Sequence, residues 1–191
     1  MSDKLFFIIR KITVAPIMAA VMLIVVQVCR PEVFGSTAAF ICSILFLTIL
    51  PLMGYPLQKY IPKYKDAGRK GQRELAMIFA VLGYILGCVS ILFLKQDNAL
   101  WVVYLEYLLS GLAILVFNKV FHVKMSGHAC GVIGPVALLL YFKLYGAAVV
   151  GAAAACLVYL ASLKTKRHTG WQLVGGSVIP LVVMGMLTLF F

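Results

Sequence analysis

Residues 75–94 read LAMIFAVLGYILGCVSILFL, twenty consecutive positions without a charged side chain. Roughly 20 apolar residues in helical form cover the ~30 Å hydrocarbon core of a bilayer, so this stretch predicts a transmembrane helix. Six further apolar stretches surround it, at about 12–29, 36–55, 99–118, 128–142, 145–163 and 171–191. The composition agrees: 63% of the 191 residues are hydrophobic and 12% charged, and the mean hydropathy is +1.04, outside the range of water-soluble domains. The expected fold is all-α, a polytopic membrane helical bundle of about six or seven transmembrane helices. Residues 1–191 are expected to form a single membrane-embedded domain without a soluble appendage.

The stretch 128–142 is the shortest and opens at His128 among glycines; its first turn is expected in a protein-lined cavity, not against lipid. Small residues are dense in GAAVVGAAAA (146–155) and LVGGS (173–177), as close helix packing in a bilayer requires. Cys29, Cys42, Cys88, Cys130 and Cys156 lie in apolar stretches without a C-x-x-C pair and read as small packing residues. No small-residue cleavage site follows the basic start MSDKLFFIIRK, so the first segment is expected to be a retained span. Trp101 and Trp171 read as interface anchors. Glu106 lies mid-span, where a carboxylate is functional by default; a buried hydrogen bond to Tyr or Ser is the equal alternative.

The net charge is +11. If all seven segments cross, the side of the N-terminus holds Lys4, Arg10, Lys11, Lys59, Lys63, Lys65, Arg69, Lys70, Arg73, Lys119, Lys124, Lys164, Lys166 and Arg167, and the other side holds Arg30, Lys95 and Lys143. That is fourteen against three of the 17 cations, a positive-inside bias that predicts a cytoplasmic N-terminus. These cations lie in short loops between spans, which argues against a nucleic-acid partner and for the bilayer itself.

Three polar clusters fall on the basic side. In KYKDAGRKGQRE (63–74), a helix from Lys65 would align Lys65, Arg69 and Arg73 at i, i+4 and i+8. Like charges so spaced repel, and cations at a helix N-terminus oppose its dipole, so an anion is expected against them. In KMSGH (124–128), the Ser126–Gly127 step before a helix offers free backbone N–H groups and a hydroxyl as an anion cradle, with Lys124 and His128 beside it. In SLKTKRHTGWQ (162–172), Lys164, His168 and Gln172 again fall at i, i+4 and i+8 and are expected to share a face. Two imidazoles among cations, with no carboxylate cluster and no metal-ligand spacing, describe a metal-free phosphoryl-transfer site that needs no cofactor. One His can attack phosphorus while the other protonates the departing oxygen.

The order of a basic motif, then SGH, then a His followed by a polar orienting residue resembles the type 2 phosphatidic acid phosphatase family, over about residues 50–185. The resemblance implies that His168 is the nucleophile forming a phosphohistidine and His128 the general acid. It also implies that Arg69, Arg73, Lys124, Ser126, Gly127 and Lys164 bind phosphate, with Lys65 or Lys63 as the first-motif Lys and Gln172 as the orienting residue. The family's usual third motif, S-R-x5-H-x3-D, has Ser162 at its Arg and Gln172 at its Asp here; Glu74 and Met125 stand where prolines are common. Restoring Arg at position 162 is expected to keep or raise activity. The first motif follows the second span here, whereas six-span members commonly carry it after the third. The implied activity is hydrolysis of a lipid phosphomonoester or diphosphate (phosphatidate, phosphatidylglycerophosphate or a polyprenyl phosphate or diphosphate) in a bacterial cytoplasmic membrane, with the active-site face inside. Lipid phosphotransfer on the same scaffold and non-catalytic binding or transport of phospholipid are the alternatives.

Overall fold

The structure, a computed structural model, describes residues 3–94 and 98–191. They form helices and connections with no strand among them: α1 (Asp3–Ile12), α2 (Ala15–Cys29), α3 (Thr37–Ile44), α4 (Leu50–Leu57), α5 (Gly68–Leu94), α6 (Asn98–Lys119), α7 (Gly127–Tyr141), α8 (Tyr145–Lys164) and α9 (Gly170–Leu187). All seven apolar segments are helical. The runs Thr37–Tyr60, α5, α6, α8 and α9 are long and apolar enough to cross a membrane, and α1–α2, bent by 56°, makes a sixth if the pair is one span.

The breaks have local causes. Pro16 has no amide hydrogen to give the turn before it and is tolerated only in the first turn of α2, so the chain bends at Thr13–Val14. Pro51 likewise cannot donate backward, and a π turn over Leu45–Ile49, in which Leu50 N–H reaches Leu45 O, joins α3 to α4.

The chain is an integral membrane protein. Along α5, Ile78, Leu82, Ile85, Val89 and Leu92 recur every three or four residues and are all exposed, an apolar stripe that only lipid would cover. The centre of the bundle is α7, packed against α2, α6, α8 and α9, with Ala129, Val132 and Leu138 fully buried. Its position explains how a helix of 15 residues, about 22 Å long at 1.5 Å per residue, fits a membrane protein: protein surrounds it, as expected for the short segment. Glycines let neighbours approach. A Cβ on Gly134 would stand 3.1 Å from Glu106 Oε1, and one on Gly151 2.8 Å from Val136 Cγ2. Glu106 is buried and accepts from Ser110 Oγ at 3.1 Å, the structural alternative of the two readings. Of the cysteines, Cys130 is buried and Cys42 and Cys88 partly so, whereas Cys29 and Cys156 point outward and are not packing residues.

The helices alternate in direction, so the two ends of the bundle differ. One end gathers Arg30, Glu32 and Lys143, where Arg30 donates to Glu32 at 2.5 Å and to Phe142 O at 3.3 Å. Lys95, expected at this end, lies outside the described residues. The other end carries the basic clusters, tied together by Lys119–Glu74 at 2.9 Å and Ser126 N–H to Gln172 O at 2.9 Å.

Candidate functional site

Two loops and one helix build the site. The loop before α7 is pinned by Asn118, whose side chain donates to Met125 O at 3.3 Å and accepts from Met125 N–H at 2.9 Å. A positive φ at His122 (55°) folds the chain back toward the bundle. Ser126 then caps α7: its Oγ accepts Ala129 N–H at 3.2 Å and its carbonyl accepts Cys130 N–H at 3.1 Å. Ser126 is fully buried, so its hydroxyl serves the helix and not a ligand, contrary to the cradle expected from it. At the helix start the backbone N–H groups of Gly127 and His128 have no acceptor among the described residues.

The loop between α8 and α9 differs from expectation. Lys164, His168 and Gln172 do not lie on one helix: α8 ends at Lys164, Lys166 turns the chain with φ 50°, and α9 restarts at Gly170. The restart is a capping box. Thr169 Oγ1 accepts Gln172 N–H at 3.4 Å while Gln172 Oε1 accepts Thr169 N–H at 3.3 Å. That second bond fixes Oε1 as an acceptor, so the 3.0 Å contact with His168 Nδ1 is an N–H donated by His168. The His168 Nε2 lone pair is thereby left free.

The helix is α1. Thr13 Oγ1 donates to Ile9 O at 2.7 Å and lies 3.1 Å from His128 Nε2; with its hydrogen committed, Thr13 accepts, and His128 donates from Nε2. One turn back, Arg10 donates to Ser162 Oγ at 2.5 Å. Ser162 is fully buried, so an Arg built there would meet the Arg10 guanidinium, a neighbour that the expectation for Ser162→Arg leaves out.

The imidazoles lie within electrostatic reach of each other and of Arg10. Burial first, and then the charges of Arg10, Arg73 and Lys124, push the His168 imidazole below its ordinary value, against an upward pull from the Gln172 bond. Of the expected cations, Arg73 and Lys124, both exposed, are thus near enough to act on His168 electrostatically. Lys65 lies in the turn before α5, exposed beside Asp66 at 3.9 Å, and cannot share a helical face with Arg69 because α5 starts only at Gly68. Arg69 is exposed on the first turn of α5. Lys164 follows Ser162 by two residues, about 200° round the helix, and is exposed on the side away from Arg10. Among the described residues no three His, Cys, Asp or Glu side chains gather.

A cavity of about 570 Å³ runs between α6 and α9, lined by Phe117, Val123, Met125, Trp171, Val174 and Val178, with Lys124, Thr169 and Gln172 at its polar end; neither histidine lines it, and Gln172 is its link to His168. The residues that sequence reasoning missed are Arg10, Thr13 and Asn118. The first two stand far along the chain from the histidines, and only the i, i+3 spacing of Arg10 and Thr13 marks them as sharing a face. Compared with models of protein families, with curated proteins and with solved structures, the chain matches none.

Proposed function

We propose that the chain is a membrane lipid phosphatase, a divergent relative of the type 2 phosphatidic acid phosphatases, acting on a lipid phosphomonoester or diphosphate through a phosphohistidine. The observation that carries this reading is a pair of neighbouring imidazoles with opposite roles at Nε2, a lone pair on His168 and an N–H on His128, set among Arg10, Arg73 and Lys124. Phosphoryl transfer needs a nucleophile, an acid for the leaving oxygen and fixed positive charge, and this group supplies all three.

In the proposed reaction His168 Nε2 forms a bond to phosphorus while the bond from phosphorus to the lipid oxygen breaks. The electron pair leaves on that oxygen, which takes the proton from Nε2 of a His128 imidazolium and leaves that ring neutral; Thr13 Oγ1 now accepts that N–H, where the leaving oxygen would. Water then attacks the phosphohistidine, gives its proton back to His128 and releases inorganic phosphate. The apolar cavity along α9 suits a lipid tail, with Lys124 at the headgroup end. The excess of cations at this end favours a cytoplasmic site in a bacterial cytoplasmic membrane.

Gln172 favours a second reading. Unlike a carboxylate it does not stabilise an imidazolium, and a site so tuned suits phosphotransfer to a hydroxyl acceptor or binding without turnover. Phosphate release by detergent-purified protein, in EDTA, against a panel of lipid phosphates separates these. Release abolished by His168→Ala is expected; equal release from wild type and variant would refute the assignment, and binding without release would favour the second reading.

A further inference from the structure

Arg10 is half-buried at the reacting end, yet among the described residues it has no carboxylate partner; the ion pairs among those residues are Arg30–Glu32, at the opposite end, and Lys65–Asp66 and Lys119–Glu74. Its bond to Ser162 uses one of five guanidinium N–H groups. The surroundings of the rest are cationic, since Arg73 and Arg167 lie within electrostatic range. A guanidinium held among like charges and partly out of water is costly unless an anion meets it. The turn that ends α1 puts Thr13 against His128, so α1 is already docked at the reacting end. Its Phe6 is buried and its Ile9 packs against the cluster of Val132, Ala155 and Val158, so the docking does not depend on Arg10 alone.

We propose that Arg10 is a phosphate ligand of this site, carried in on α1 and aimed by Ser162. The inference rests on the phosphatase reading and names the group that binds the phosphoryl oxygens. The guanidinium fork matches a phosphate through two parallel N–H···O bonds. It arrives from a different helix than the histidines, so the phosphate site is complete only while α1 is seated on α8.

The test uses the full chain in detergent with two probes, inorganic phosphate binding followed by calorimetry and phosphate release from dioleoyl phosphatidate in EDTA. Arg10→Ala is expected to weaken phosphate binding about tenfold or more and to lower kcat/KM at least as much, the scale of a charge-assisted hydrogen bond. Arg10→Lys is expected to recover part of the loss. The exchange Arg10→Ser with Ser162→Arg returns a guanidinium across the same hydrogen bond and is expected to restore binding; an Arg10→Ala protein that keeps the wild-type thermal midpoint while losing phosphate affinity separates a ligand from a purely structural role. Wild-type phosphate affinity in a folded Arg10→Ala protein overturns the proposal. If Arg10→Ala does not fold, an exchange variant that folds without binding phosphate overturns it. Arg10-dependent binding of inorganic phosphate without release from phosphatidate upholds the ligand and defeats the phosphatase; no phosphate binding by the wild type defeats both.

Discussion

Gly176→Ala tests whether the contact between α9 and the Ser126 cap holds the site in register. A Cβ at Gly176 would lie 3.0 Å from the Ser126 carbonyl carbon and 3.1 Å from its amide nitrogen, closer still to the carbonyl oxygen, where ordinary contacts are 3.4–4 Å. Both partners are backbone, so neither side can rotate away. Ser126 must shift, and it holds three bonds: its N–H to Gln172 O, its carbonyl to Cys130 N–H, and its Oγ to Ala129 N–H. Overpacking of this kind costs about 1–3 kcal/mol and a lost N-cap about 1 kcal/mol more, against roughly 0.5–1 kcal/mol gained by replacing a helical glycine. The net is a loss of about 1–3 kcal/mol. Gly185→Ala, on the same helix with nothing within 4 Å of its Cβ, keeps the gain without the clash. Thermal unfolding in detergent should therefore lower the midpoint for Gly176→Ala and leave that of Gly185→Ala equal or higher. Turnover should fall with the former, since a displacement of about 1 Å at a reacting centre can cost around a hundredfold. Equal midpoints and equal turnover for the two variants would refute the reasoning.

Further expectations concern His168, the proposed nucleophile. With His168 held below its ordinary value of 6.5, acidification protonates the unfolded chain first, so its contribution to stability is lost as pH falls through about 6.5. Phosphate release should correspondingly persist below that pH until His168 itself protonates; an NMR titration midpoint for His168 above 6.5 would contradict this. Gln172→Ala removes the acceptor for both His168 Nδ1–H and Thr169 N–H. It should cost about 1 kcal/mol of stability and lower kcat by about tenfold or more with little change in KM, as steady-state kinetics on a lipid phosphate would register.

The helices were legible because apolar length has one cheap solution in a bilayer, and seven runs of it leave little choice of fold class. Helix ends were less so. Treating Lys65–Arg73 as one helix overlooked Gly68, whose φ of 53° sets the start of α5, and treating Lys164–Gln172 as one overlooked the T-x-x-Q capping box over residues 169–172, a signal present in the sequence. His128 and His168 could be paired from their motifs, and in the structure they lie within electrostatic reach of each other. Arg10 could not be added to them, because a cation beside a first apolar segment reads as a topogenic charge. Its partner Ser162 stands 152 residues away, and no local period links them. Asn118 escaped for a related reason: its role is to hold two backbone atoms of a loop, and that role has no sequence period.

The shortness of α7 has a bearing on where a reaction would take place. Its Tyr141 end reaches Arg30 and Lys143, side chains that belong near the far membrane surface. Counting back about 22 Å along the helix from a hydrocarbon slab ~30 Å thick leaves Gly127 roughly 8 Å below the level of the nearer headgroups. A phosphate bound there would have been drawn inward from its resting depth, shedding water and trading neighbouring lipids for a ring of guanidinium, ammonium and imidazole groups. The bundle would thus work as a recess in the bilayer, selecting molecules whose charged end can be pulled below the surface while the tail remains among its own kind.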